Sequence, residues 1–371
     1  MKNYWRKKDS MQRSTRVSLL RIGIGFVLFI IAVFLQIAAR NYRGFADWYT
    51  DTVYPFWVET IGKFWSFFPY SVVELLLYGL LLGLGVMACL GIVHIIKKTK
   101  RCSDVLLTGS SVLVLLVGGL FFLYTVLCGI NYHNTPFSER NGMKLTTYTV
   151  EELASYCEEI TEEVNRLFRE TDREKLKNQK ENRKEAVEAM HGIGKEYEGL
   201  SGYYPQPKGV LVSEILSYQQ LTGIYAPFTV EANYNMDMTD YNIPFTMCHE
   251  LSHLRGFMRE DEANYIAYLA CSHSESVEFQ YSGALMAWIY STNLLYDYAP
   301  ETYQRLHDSL DKAVWKDLEE NTTFWDKYDG TIAKMSDEMN DTYLKANKQT
   351  DGVESYDRMV NLLMAEYLAE E

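Results

Sequence analysis

Two histidines four residues apart enclose a glutamate in the string His249-Glu250-Leu251-Ser252-His253. On an α-helix, positions i and i+4 share one face, so both imidazoles reach a single cation. Zinc (Zn2+) takes neutral nitrogen ligands and keeps one position open in catalytic sites. Glu250 stands beside the water that would fill that position. There it can take a proton as the water attacks a carbonyl and return it to the leaving amine. The pattern points to metal-assisted hydrolysis of a peptide bond. The same spacing on a plain helix surface would carry no chemistry, so the flanking residues must decide.

They favour a complete ligand set. The segment Arg259-Glu260-Asp261-Glu262-Ala263-Asn264 reads as the start of a second helix. A third histidine six residues after His253 would make the metzincin spacing, and Gly256 fits it, but position 259 is Arg, which cannot bind zinc. Glu260 is preferred over Glu262 as third ligand, because Glu260 has Asn264 four residues on, where an amide can orient a ligand histidine. An oxyanion would need a donor opposite the metal. His191, His273, Tyr281 and Tyr356 are candidates, although for any one of them an ordinary structural role is the commoner reading. Cys248 adjoins the first ligand but faces away from it on a helix and reads as core.

The elements around these residues follow from local signals. Pro244 suits the first turn of the helix and Gly256 its exit. Thr149 and Glu152 form a capping-box pair, followed by Leu153, Cys157, Ile160, Val164 and Phe168 at helical spacing. Residues 131–143 read as a turn-rich linker, the charged run 170–188 as a solvated helical face or a connection, and residues 199–207 as loop. Residues 210–212 and 223–235 read as extended. Pro227 places the second of these at a sheet edge. That edge, around Ile224, Tyr225, Ala226 and Phe228, could pair with an extended peptide substrate. Residues from 244 onward read as helical. The fold class is mainly α with a small β-sheet.

Charge and hydropathy divide the chain. Residues 1–130 carry a net charge of +8 and residues 131–371 a net of −21, within a total of −13. Three apolar segments, at about 17–39, 72–96 and 105–130, are long enough for a bilayer core. The first reads as an uncleaved anchor. Lys/Arg clusters in the N-terminal tail (Lys2, Arg6, Lys7, Lys8, Arg13, Arg16) and between spans two and three (Lys97, Lys98, Lys100, Arg101) place both on the cytoplasmic side. Residues 131–371 are then expected outside the cytoplasm, in a multi-pass protein of the cell membrane. The aromatic loop with Trp48, Tyr49, Tyr54, Trp57, Trp65 and Phe68 is expected at the outer interface, and Glu74 and His94 near the ends of span two. The partners implied are the lipid bilayer and a peptide or protein substrate. The acidic part excludes nucleic acid, whose phosphates it would repel. Six cysteines without a CxxC pair, three of them in the acidic part, argue against a disulfide framework.

The string HELSHLRGFMREDEANYIAYLAC, His249 to Cys271, resembles the active site of thermolysin-like (gluzincin) peptidases. In those, the third ligand is a Glu followed four residues later by Asp or Asn. The chain is closer still to a bacterial family of multi-span membrane proteins with an extracytoplasmic HExxH domain, described only as a domain of unknown function. That likeness runs from the third span to the C-terminus. It includes NYHNTPFSERNGM (131–143), TGIYAPFTVEANYN (222–235) and YLKANKQTDGVESYDRMV (343–360). The resemblance implies a zincin-like α+β metallopeptidase domain after three spans, with no assigned substrate. A competing reading from a different class is a membrane sensor or assembly factor that keeps the fold without hydrolysis. A third is a zinc hydrolase acting on a non-peptide amide.

Overall fold

Three helices are long and apolar enough to cross a membrane: Thr15–Asn41, Val72–Ile96 and Cys102–Leu127. The computed structural model describes residues 2–98, 101–347 and 357–370. The first apolar segment belongs to a longer helix, α1 (Lys2–Asn41), and the others are α2 (Val72–Ile96) and α3 (Cys102–Leu127). α1 and α3 pack backbone to backbone, since a Cβ added at Gly118 would collide with the carbonyl of Gly25. Small residues allow that approach where apolar burial drives no association. α2 meets α3 near Gly91 and Val105, with none of its apolar window buried.

α3 stops at Leu127, three residues short of the expected end. Residues Gly129–His133 form a buried 3-10 turn instead. Part of the expected linker over residues 131–143, from Asn131 to Asn134 and at Phe137, is therefore core. Phe137 is fully buried against Phe257 and Tyr265, and Asn134 donates from Nδ2 to the carbonyl of Gly256. The turn-forming residues there hid both a 3-10 turn and a short helix at Phe137–Arg140, and also the burial, which comes from contacts distant in sequence.

The loop between the first two spans also joins this core. It is a run of short helical turns from Arg43 to Trp65. Tyr54 within it is buried and hydrogen-bonds the Tyr225 hydroxyl at 2.8 Å and the Leu254 carbonyl at 3.0 Å. Tyr49 donates to the carbonyl of Val126. Hydropathy divides the chain near residue 130, whereas packing joins this loop to everything beyond it. The loop and the C-terminal part thus sit at the same end of the spans.

Beyond the spans lie α4 (Val150–Glu170), α5 (Gln179–Ile193), β1 (Lys208–Gly209), β2 (Gly223–Ala226), β3 (Glu231–Tyr234), α6 (Asn242–Leu254), α7 (Glu260–Ser272), α8 (Val277–Tyr298), α9 (Pro300–Ser309), α10 (Lys312–Asp326), α11 (Thr331–Ala346) and α12 (Asp357–Glu370). The chain is mainly helical with a three-stranded sheet, as its pattern implies. The capping box at Thr149 and Glu152 forms with both reciprocal bonds. α5, within and beyond the charged run, buries Asn182, Ala186, Ala189 and Met190, so one of its faces is core rather than solvated. The sheet order is β1-β3-β2, β1 parallel and β2 antiparallel to β3. The extended stretch at 223–235 is in fact a hairpin that turns at Pro227. The first strand falls at Lys208–Gly209 rather than over 210–212.

Two carboxylates join α2 to this sheet. Glu231 on β3 accepts the Val72 and Val73 amides at the start of α2, the Thr229 hydroxyl, and the buried Lys208 ammonium. Glu74, in the first turn of α2, accepts the amides of Leu211 and Val212 at 2.8 and 3.0 Å. An anion at a helix N-terminus meets unpaired amides and the positive end of the helix dipole. Glu74 therefore caps backbone of the domain while Glu231 caps the span.

Candidate metal centre

α6 ends in a Schellman turn. Gly256 takes φ +99°, a region that glycine tolerates. Its amide donates to His253 O and the Phe257 amide to Ser252 O. The turn reverses the chain so that α7 begins at Glu260, beside the C-terminal half of α6. Asn131 and Thr50 pack against Gly256, where an added Cβ would lie 3.1 Å from Thr50 Cγ2.

This reversal assembles a ligand set. Glu260 Oε2 lies 3.2 Å from His249 Nε2, and Oε1 lies 3.6 Å from His253 Nε2. One ligand atom from each of the three falls within 4.8 Å of the other two. The imidazole rings stand 4.6 Å apart and nearly perpendicular. His253 Nδ1 lies 2.8 Å from the Phe257 carbonyl. A carbonyl only accepts, so Nδ1 carries the proton and Nε2 keeps its lone pair in the neutral ring. Two imidazole nitrogens and one carboxylate are a donor set that suits zinc. Glu260 pairs with both histidines. Burial pushes the Glu260 carboxyl up, but the two histidines outweigh it and hold the group anionic.

The residue between the histidines faces the same space. Glu250 is buried, its Oε2 has no hydrogen-bond partner, and burial raises its pKa to about 7 against the pull of both histidines. β2 crosses directly over it. A Cβ at Gly223 would lie 2.5 Å from Glu250 Oε1, so only glycine fits there. β2 is an edge strand. Asn235 donates to the Thr222 carbonyl, and from that pair the antiparallel alternation turns the N–H and C=O of Gly223 and Tyr225 away from β3. Ile224 and Phe228 are exposed, whereas Tyr225 and Ala226 are buried.

The cluster lies in a cleft of about 470 Å3 lined by Thr222–Tyr225, His249, Glu250, His253, Glu260, Asn264, Tyr132, Tyr290 and Tyr343. Glu262 is elsewhere: its Oε1 accepts the Phe137 amide and Arg259, tying α7 to the 3-10 turn region. Asn264 lines the cleft with its Nδ2 buried and unpartnered. The bond that orients His253 comes from Phe257 and not from this amide. The oxyanion candidates do not gather here. His191 packs on Tyr204. Tyr281 is buried and donates to Asp317. His273 lines a larger, open groove beside Tyr156 and Arg166, where no such ligand set occurs among the described residues. Tyr356 lies outside the described residues. The cleft tyrosines Tyr132 and Tyr290 escaped the sequence reading. Burial raises both hydroxyls' pKa values, reinforced by Cys128 and then Glu260 at Tyr132 and by Glu260 at Tyr290, so both stay protonated as donors. Cys248 is buried, and all six cysteines are free.

A family of proteins of unknown function, DUF3810, matches residues 49–364. The chain belongs to that family. No curated protein matches the chain, and no solved structure does. The family match starts within the loop between the first two spans, where packing also places the beginning of the domain, and it takes in every residue of the cluster.

Proposed function

We propose that this member of the DUF3810 family is a membrane-anchored zinc-dependent peptidase. The observation that carries the reading is the convergence of His249, His253 and Glu260 beside a buried, unpartnered Glu250 under an open strand edge. His249, His253 and Glu260 would hold the cation. When bound, it supplies Lewis acidity, polarising a carbonyl and lowering the pKa of a coordinated water. Glu250 takes the proton of the attacking water and delivers it to the departing amine; its carboxylate is buried beside the ligand set with Oε2 unpartnered. The Gly223 and Tyr225 backbone groups bind the substrate as an added strand, which fixes its register but tolerates many side chains. Asn264 Nδ2 offers a free donor to the bound main chain. The ligand order, a HExxH helix followed by a Glu on the next helix, is similar to that of thermolysin-like peptidases and supports a zincin-like domain.

The test compares wild type with Glu250→Gln on a degenerate peptide library, with metal content measured on both. Zinc should stay near one equivalent while cleavage falls at least about a hundredfold. Full activity in Glu250→Gln would refute the assignment of the base. A wild type that binds zinc and cleaves nothing would favour a non-hydrolytic sensor.

A further inference from the structure

Two exposed apolar faces frame the cleft, and both are tied to the ends of the spans. The first is the segment from Leu211 to Tyr218, where Leu211, Val212, Ile215 and Tyr218 are all exposed. Glu74 in the first turn of α2 holds the Leu211 and Val212 amides, so this face begins where the second span begins. The second is α11. Ile332, Met335 and Met339 fall on one side at i, i+3 and i+7, and Met339 is 71% exposed. Lys334, Asp337, Glu338 and Asp341 occupy the other sides.

Both ends of α11 reach the same level as the span ends. Tyr328, three residues before it, packs edge-on against Tyr218 at 5.0 Å. At its other end Arg40, one residue before the end of α1, donates to the Ala346 carbonyl, and Tyr124, in the last turn of α3, donates to Asn347 Oδ1. A 16-residue helix is roughly 24 Å long, so α11 runs across the membrane end of the domain from the α2 side to the α1–α3 side. Asn340 and Tyr343 on it line the cleft, opposite Thr222–Tyr225, which follow the first apolar face within a few residues.

We propose that α11 and the 211–218 segment rest in the surface of the bilayer, and that the cleft between them takes polypeptide tethered to that same membrane. The occupant of both faces is lipid, because each is continuous with a helix apolar enough to span. Amphipathic helices of this kind sink roughly 5–10 Å into the headgroup region. The substrate strand then lies just above the lipid, where a segment emerging from a membrane anchor can reach Gly223 and Tyr225. The substrate class rests on the peptidase reading; the lipid contact does not.

The test uses the full chain in vesicles of phosphatidylcholine and phosphatidylglycerol. With exposed Cys89 and Cys102 replaced by Ser, an environment-sensitive dye is placed at Met339→Cys or at Lys334→Cys. The Met339 dye should report an apolar setting and be quenched by lipids brominated high on the acyl chain, while the Lys334 dye stays in water. A water-like signal at Met339 overturns the proposal. So does an apolar signal lost at one protein per lipid disc, which would make the occupant a second copy. In the second arm one peptide is offered free, or joined to a lipid anchor by a linker of about 5 or about 25 residues. The short tether should be cleaved at least about tenfold faster than the free peptide, and no slower than the long one. Met335→Asp should reduce short-tether cleavage several-fold with zinc content unchanged. Cleavage of the free and long-tether peptides but not the short one overturns the substrate class. No cleavage of any peptide, with the dye still in lipid, overturns the peptidase reading and with it the substrate class, while supporting the lipid contact.

Discussion

His253 Nδ1 lies 2.8 Å from the carbonyl oxygen of Phe257, four residues further on and just past the end of the same helix. The Schellman turn makes this possible, because the left-handed Gly256 folds Phe257 back onto the last turn of α6. The helix stop thereby also fixes the tautomer of a candidate ligand.

Gly256→Ala should therefore affect metal binding without touching a ligand. A side chain at this φ costs on the order of 1–2 kcal/mol, and the added Cβ meets Thr50. Loss of a bond that orients a ligand histidine typically weakens metal binding about 10–100-fold. Competition with a chelator, alongside a thermal melt, would show both effects. Unchanged metal affinity would remove the role given to Phe257.

Glu260 and Glu262 separate cleanly. Glu260→Ala should abolish stoichiometric zinc binding, since it removes one of three ligands. Glu262→Ala should keep the zinc and lose stability, by about 1–3 kcal/mol, because the Phe137 amide and Arg259 lose their acceptor. Elemental analysis and melting of the two purified proteins decide it; the reverse metal contents would move the site to Glu262.

Gly223→Ala probes the contact between β2 and Glu250. The new methyl would fall within 2.5 Å of Glu250 Oε1, so strand or carboxylate must move. Zinc should remain near one equivalent, and peptide cleavage should drop by about a hundredfold, the usual consequence of an ångström-scale displacement of a reacting group. Wild-type turnover in this variant would place the working base elsewhere.

Glu231 tests the attachment of α2. Glu231→Ala leaves the buried Lys208 ammonium unpaired and the first amides of α2 uncapped. A loss of about 3–5 kcal/mol is expected. Adding Lys208→Met should recover part of it, because the stranded charge is gone. A melting series over both single variants and the double variant reads this directly. No recovery in the double variant would assign the effect to the amides alone.

Topology has its own test. With the N-terminal tail and the Lys97–Arg101 cluster in the cytoplasm, Glu301→Cys should react with an impermeant thiol reagent on intact cells. Native Cys102 should react only after permeabilisation. The opposite pattern would invert the orientation drawn from the Lys/Arg clusters.

The spacing of His249, Glu250 and His253, the helix stop at Gly256 and the preference for Glu260 were all legible in the sequence. Each depends on helix periodicity or on one turn, which neighbouring residues encode by themselves. The three apolar helices and the capping box at Thr149 were legible for the same reason. Tertiary structure alone decided the rest. Tyr54 and Asn131 look like interfacial loop and linker in sequence, yet they pack against the HExxH helix and its exit, because residues 81 to 200 positions apart meet there. Asn264 was assigned an orienting bond that the Phe257 carbonyl makes instead, and no local pattern reports which acceptor a folded turn presents. His191, His273 and Tyr281 have suitable chemistry but lie away from the cleft. Tyr132 and Tyr290 line it without any motif to mark them, because residue type carries chemistry and only the packing of distant segments carries position.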